Sequence, residues 1–295
     1  MQQTENNNER HKNFPLGDAG AIDAHHHFWL YDPTRHEWIT EEMSGIRKDF
    51  LPTDFEQILK QNGISGSVLV QVNQDEKENE FQLKNADEND FIKGVVGWVD
   101  LQANNIEERL EFYKQYKKMK GFRHILQGEA DRAIMLKPAF MNGIRKLKKF
   151  GYTYDILIYP DQLKYTREFV AAFPDQPFVI DHVAKPNIRE HNIKDWKMDI
   201  TAVAEHENVY CKISGMVTEA DWQNWKKEDF TPYLDVAIEA FGTDRVMYGS
   251  DWPVCLVAAT YEQMKSIVDD RFSSFSKDEQ EKFFGKNAIN FYGLT

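Results

Sequence analysis

A regular alternation of short β-rich runs with longer helical stretches is what most restricts the folds open to this 295-residue chain. The β-rich runs are Ala21–His27, Ser67–Val72, Gly94–Leu101, Gly121–Leu126, Thr153–Ile158, Phe178–His182, Val209–Ser214 and Arg245–Asp251. They start roughly 25 to 45 residues apart, the spacing of repeated βα units. Between them the sequence predicts helices over Ile106–Met119, Ala139–Phe150 (stopped by Gly151), Asp161–Ala172, Asp195–His206, Thr231–Phe241 and Thr260–Arg271. An earlier helix starts at Pro52, where Thr53 precedes Glu56 by capping-box spacing, and a last one opens at Ser276-Glu279 and runs toward Asn287–Tyr292. About eight such units in a chain of this length predict an α/β fold of the (β/α)8 TIM-barrel type. No linker composition splits the chain, so residues 21–295 read as one barrel domain behind a polar, mobile tail over residues 1–20.

Bulk composition removes several function classes. The formal charge is −12, which disfavours nucleic acid and anionic membranes as partners. No apolar run reaches the ~18 residues of a membrane span, and the N-terminus lacks a signal-peptide core. Two cysteines, Cys211 and Cys255, make neither a disulfide framework nor a cysteine-type zinc motif, which predicts a reducing, cytoplasmic setting. Nucleophile-elbow, Walker and dinucleotide fingerprints are absent from the sequence. The partner left is a small molecule, with homo-oligomerisation open.

Catalytic residues of barrels sit at the carboxyl ends of strands and in the loops that follow. In Ile22-Asp-Ala-His-His-His-Phe28, strand alternation puts Asp23, His25 and His27 on one face. The reading sends that polar face into the barrel mouth, and Ile22, Ala24, His26 and Phe28 outward to the helices. Two imidazoles two residues apart can share one divalent cation. Asp251 ends the eighth run just before Trp252-Pro253 and suits a metal ligand, a general base, both, or a turn cap. His182 ends the sixth run in the equivalent place, with Asp181 on the opposite face. Arg123 and His124 end the fourth run on opposite faces, so both serve a site only if that strand frays. Arg123 suits either a substrate oxygen or a structural ion pair. Gln71, Asp155 and Lys212 are polar residues in otherwise apolar strands and suggest a polar upper layer inside the barrel. The long loop Phe28–Leu51, with Trp29, Tyr31 and Trp38, is a candidate functional loop.

These residues, together with Gly121-Phe-Arg-His124, Asp181-His182-x-x-Lys-Pro186, Lys212-Ile-Ser-Gly215, Tyr248-Gly-Ser-Asp-Trp-Pro253 and Asn287-Ala-x-x-Phe-Tyr292, resemble the amidohydrolase-2 branch of the amidohydrolase superfamily. Within it the chain looks most similar to sugar-lactone hydrolases of the L-fuconolactonase and L-rhamnonolactonase kind. The resemblance implies a metal site at His25, His27, His182 and Asp251. It implies catalytic roles for Asp251, His182, His124 and Arg123, and substrate contacts by Arg123 and His124. Trp29, Trp98 and Trp252 are expected to stack on the sugar, with a core role as the alternative for Trp98. The fourth strand offers no lysine to bridge two metals, so one divalent ion, zinc first, is expected, with metal-independent action left open. The implied reaction is opening of a sugar-acid lactone to the aldonate. The alternatives are nonhydrolytic decarboxylation of an aromatic or muconate-type acid and noncatalytic sugar-acid binding.

Overall fold

The computed structural model describes residues 20–295; the tail expected over residues 1–20 lies, save for Gly20, outside the described residues. Eight parallel strands follow one another around the sheet in chain order. They are β1 (Ala21–His26), β2 (Ile64–Val70), β3 (Ile92–Gly97), β4 (Met119–His124), β5 (Thr153–Ile156), β6 (Phe178–Ile180), β7 (Val209–Ile213) and β8 (Val246–Tyr248). A helix follows each: α1 (Pro52–Gln61), α2 (Glu76–Glu88), α3 (Ile106–Tyr113), α4 (Pro138–Phe150), α5 (Leu163–Ala171), α6 (Lys194–Ala204), α7 (Lys227–Phe241) and α8 (Tyr261–Phe272). Past them, α9 (Lys277–Glu281) runs through a π-turn into α10 (Asn287–Tyr292). This is the (β/α)8 barrel that the alternation predicts. No helix among the described residues is long and apolar enough to cross a membrane.

The seam between β8 and β1 closes just above the strand ends. Asp251 N donates to His25 O at 2.8 Å, and His27 N donates to Trp252 O at 2.7 Å. The backbone bonds that shut the barrel therefore hold His25, His27 and Asp251 side by side. At the other end, Ala288, Phe291, Tyr292 and Leu294 pack against Ile22, Val68 and Val96, so the C-terminal helix plugs the barrel floor.

Two local expectations are corrected. In β1 the pairing with β2 slips between Asp23 and His26, a bulge that breaks strict alternation. Ile22 and Ala24 consequently face inward with Val70, Val179 and Met247. Asp23 faces outward, accepting from Ser250 N at 2.9 Å and from Tyr261 Oη of α8 at 3.1 Å. Burial pushes its carboxyl up to about 6. Beyond the bulge the parity is restored: His26 packs outside on Phe55, and His25 and His27 face inward as expected. At α1 the cap is Asp54, whose carboxylate accepts from Leu51 N at 2.8 Å, with Pro52 in the first turn; the Thr53–Glu56 box does not form. The Ser276–Glu279 box does form.

Helix α2 has no counterpart among the predicted helices because its buried face is largely polar, with Glu78, Asn79 and Gln82 beside Leu83 and Ala86. Those side chains tie down loops near the barrel mouth. Glu78 accepts from the backbone of Val72 and Asn73, and Asn79 bonds both N and O of Trp98.

Candidate active site

His25, His27 and Asp251 converge at the carboxyl end of the barrel. His25 Nε2 and His27 Nε2 stand 3.2 Å apart, and Asp251 Oδ1 lies 3.2 Å from His27 Nε2 and 3.8 Å from His25 Nε2. His182 Nε2 approaches the same Oδ1 at 3.9 Å. The four residues expected to form the site are thus brought together.

Their ring orientations follow from the groups behind them. His27 Nδ1 faces Val70 O at 2.8 Å, so it carries the proton and leaves Nε2 bare. His25 Nδ1 stands between Asp181 Oδ1 at 3.3 Å and Lys212 Nζ at 3.2 Å, and Arg123 approaches its Nε2 at 3.3 Å. Two imidazole nitrogens and a carboxylate oxygen then crowd one point. One ligand atom from each of His25, His27 and Asp251 lies within 4.8 Å of the others, so the donor set fits a nitrogen- and oxygen-liganded divalent ion. Burial drives the imidazole of His25 well below its ordinary value and that of His182 to about 4, so both are neutral near pH 7. Burial alone would raise Asp251, but His182, His27 and Lys185 more than offset it and keep the carboxylate ionised.

Beneath this cluster lies a fully buried charge network. Asp181 Oδ2 accepts from Arg123 at 2.9 Å, and its Oδ1 lies 3.1 Å from Lys212 Nζ. Lys212 also donates to Asp155 at 2.5 Å, and Tyr292 Oη donates to the same oxygen at 2.8 Å. Arg123 further donates to Gln71 O and Gln71 Oε1. Two cations thus face two carboxylates, the pairing that buried charges require. The polar upper layer suggested by Gln71, Asp155 and Lys212 exists, but its centre is Asp181, which strand alternation predicts on the outer face. Strand β6 ends at Ile180 with Val179 facing inward, so Asp181 points in as well. His182 then reaches the site through a backbone turned to φ 55°. Counting charge could have found Asp181: Arg123 and Lys212 inside the barrel with Asp155 alone leave one cation unmatched.

A cavity of about 180 Å³ opens over the cluster, lined by His27, Arg123, His182 and Asp251 together with Trp38, Leu157, Lys185 and Val254. Several expected substrate contacts lie elsewhere. Strand β4 does not fray: Arg123 pairs with Asp155 and His124 with Ile156 in unbroken register. Arg123 therefore points in, and His124 points out, held by Glu129 at 2.7 Å and edge-on to Phe140. Trp98 donates its indole N–H toward His124 at 3.4 Å, on the same outer side. Trp29 is buried against Phe50 and donates to Lys48 O. Trp252 stacks on Phe55 of α1 with ring centroids 4.5 Å apart. None of these four lines the cavity. The aromatic wall is Trp38, 38% exposed, from the loop singled out in the sequence.

Gly215 has φ +57°, and a Cβ there would stand 2.6 Å from His182 Nδ1 and 3.0 Å from Asp251 Oδ2. Gly215→Ala is expected to displace both side chains and lower turnover by about 100-fold, the scale on which angstrom misplacements act. Steady-state kinetics on the folded variant checks this; a rate within threefold of the parent would show that the site tolerates the methyl group.

With this geometry in place, the sequence shows its family: the chain belongs to the amidohydrolases, matching that family over residues 22–294. Among similar proteins, the L-fucono-1,5-lactonase of Burkholderia multivorans is 36% identical over 287 residues, covering 94% of this chain and 97% of that one. The L-fucono-1,5-lactonase of Burkholderia ambifaria is 31% identical over 279 residues, covering 92% and 95%. A crystal structure of a Burkholderia multivorans amidohydrolase with bound zinc has a TM-score of 0.91 at 35% identity, covering 93% of this chain and 99% of that one.

Proposed function

We propose that this enzyme hydrolyses sugar-acid lactones of the L-fucono- or L-rhamnono-lactone type, opening the ring to the aldonate. The observation that carries the reading is the convergence of His25, His27, His182 and Asp251 at the base of a small cavity walled by Trp38. Near-full-length likeness to two L-fucono-1,5-lactonases supports the substrate class.

His25, His27 and Asp251, with His182 beside them, would hold one divalent ion, zinc by its fit to this donor set. Such an ion, when bound, polarises a carbonyl and lowers the pKa of water. The protein's own groups do the rest. Asp251 takes a proton from the attacking water as its oxygen bonds to the lactone carbonyl carbon. The positive charge of Arg123, on the cavity lining, stabilises through space the charge that develops on the carbonyl oxygen. The bond from that carbon to the ring oxygen then breaks, and Asp251 returns the proton to the departing oxygen. The aldonic acid ionises and releases one proton to solvent. Trp38 offers a flat apolar face to the sugar ring.

A panel of aldonolactones in a pH-indicator assay, with and without a chelator, tests the reading. Acid release from L-fucono- and L-rhamnono-lactones, suppressed by chelation, is the expected result. Release of CO2 from an aromatic acid, or tight aldonate binding with no turnover under any metal condition, would overturn it.

A further inference from the structure

Four consecutive residues, His182, Val183, Ala184 and Lys185, have φ of 55°, 54°, 56° and 51°. None is glycine, and Val183 is β-branched, the kind of residue least at ease in the left-handed region. Neighbours hold the turn in place: Lys185 N donates to His182 O at 2.8 Å, and Trp196 Nε1 donates to Val183 O at 2.8 Å. In a turn of about three residues the first and fourth side chains emerge on one side. His182 and Lys185 accordingly both line the cavity, while Val183 and Ala184 join the core. A disfavoured backbone is thus maintained, and it delivers a lysine to the site.

That lysine has donors to spend. Glu219 Oε1 stands 3.6 Å from Lys185 Nζ, close enough to hold the charge in place but beyond hydrogen-bond length. The terminal nitrogens of Arg123, by contrast, are committed to Gln71, Asp181 and His25, and its one unpaired donor, Nε, is buried. An acceptor of matching character shares the cavity lining: Gln127 Oε1 is buried without a hydrogen-bond partner. A charged donor and an amide with an unpaired oxygen, both on residues that line one small cavity, suit a hydroxyl group, which accepts from one and donates to the other once the amide turns to it.

We propose that Lys185 and Gln127 form a specificity subsite that reads the ring hydroxyls of the substrate. The inference rests on the lactonase reading above and adds the groups that select a polyhydroxylated ring. A hydrogen bond from a charged donor implies about a 10- to 100-fold effect on kcat/KM.

The test compares the parent enzyme with Lys185→Met, Lys185→Arg and Gln127→Leu on an aldonolactone and on δ-valerolactone, which lacks hydroxyls. δ-Valerolactone is followed as substrate, or as a competitive inhibitor where it is not turned over. Lys185→Met and Gln127→Leu should lose roughly 10- to 100-fold in kcat/KM on the aldonolactone, chiefly through KM. Gln127→Leu should move the constants for δ-valerolactone less than about threefold; Lys185→Met, which also takes a positive charge from near Asp251, should lose less on δ-valerolactone than on the aldonolactone, and Lys185→Arg should keep most of the parent's efficiency. Equal losses on both lactones, or no loss on either, would overturn the subsite. If the parent opens no aldonolactone at all, the functional reading falls instead, so the two failures are distinguishable.

Discussion

Asp251→Asn is expected to lower lactone turnover by about 10³-fold while leaving the fold intact. Asp251 has φ 57°, a left-handed conformation that asparagine tolerates almost as well as aspartate, so the backbone has no reason to move. Its amide N–H donates to His25 O at 2.8 Å, a main-chain bond that survives the change. The side chain loses what matters. Asparagine brings no negative charge against His27 at 3.2 Å and His182 at 3.9 Å, and it cannot carry a proton from water to the ring oxygen. The measurement is kcat on L-fucono-1,5-lactone, with the thermal midpoint as the control for folding. A near-parental kcat would remove Asp251 from the role of base.

Asp181→Asn should act first on stability and then on the site. With its charge gone, Arg123 and Lys212 are left facing Asp155 alone in a buried region that only Arg123 connects to the cavity. Breaking a buried ion pair by removing one partner costs about 3–5 kcal/mol. For a barrel of this size that lowers Tm on the order of 10 °C. The carboxylate also fixes His25 through Nδ1 at 3.3 Å, and losing such a partner weakens metal affinity by about 10- to 100-fold. Thermal denaturation and a zinc titration read the two effects separately. An unchanged Tm would mean that the network is not the paired set of charges described above.

The sequence made the barrel legible because each strand and nearly every helix carries its own period and its own stops. Helix α2 escaped because its inward side chains, Glu78, Asn79 and Gln82, serve loop backbones and leave no apolar stripe to read. The pair His25 and His27 was legible from alternation, yet for a reason that holds only past the bulge: Asp23, two residues earlier, faces the other way. A bulge adds a residue without a mark in composition. Asp181 faces in where the sequence predicts it outward for a similar cause: β6 ends at Ile180, and the left-handed turn that begins at His182 and carries that imidazole to the site has no glycine to announce it. The tryptophans show the remaining limit. Trp29 and Trp252 adjoin site motifs in the sequence and Trp98 follows β3, but alternation and the loop path turn them into the packing, and Trp38, in the long loop after β1, comes back over the cavity.

The most direct test of the account is a zinc titration of metal-stripped enzyme, with L-fucono-1,5-lactone opening followed at each point. The account predicts that activity rises in proportion to bound zinc, saturates at one ion per chain, and does not appear in Asp251→Asn. Full-rate lactone opening by the metal-free protein would contradict it.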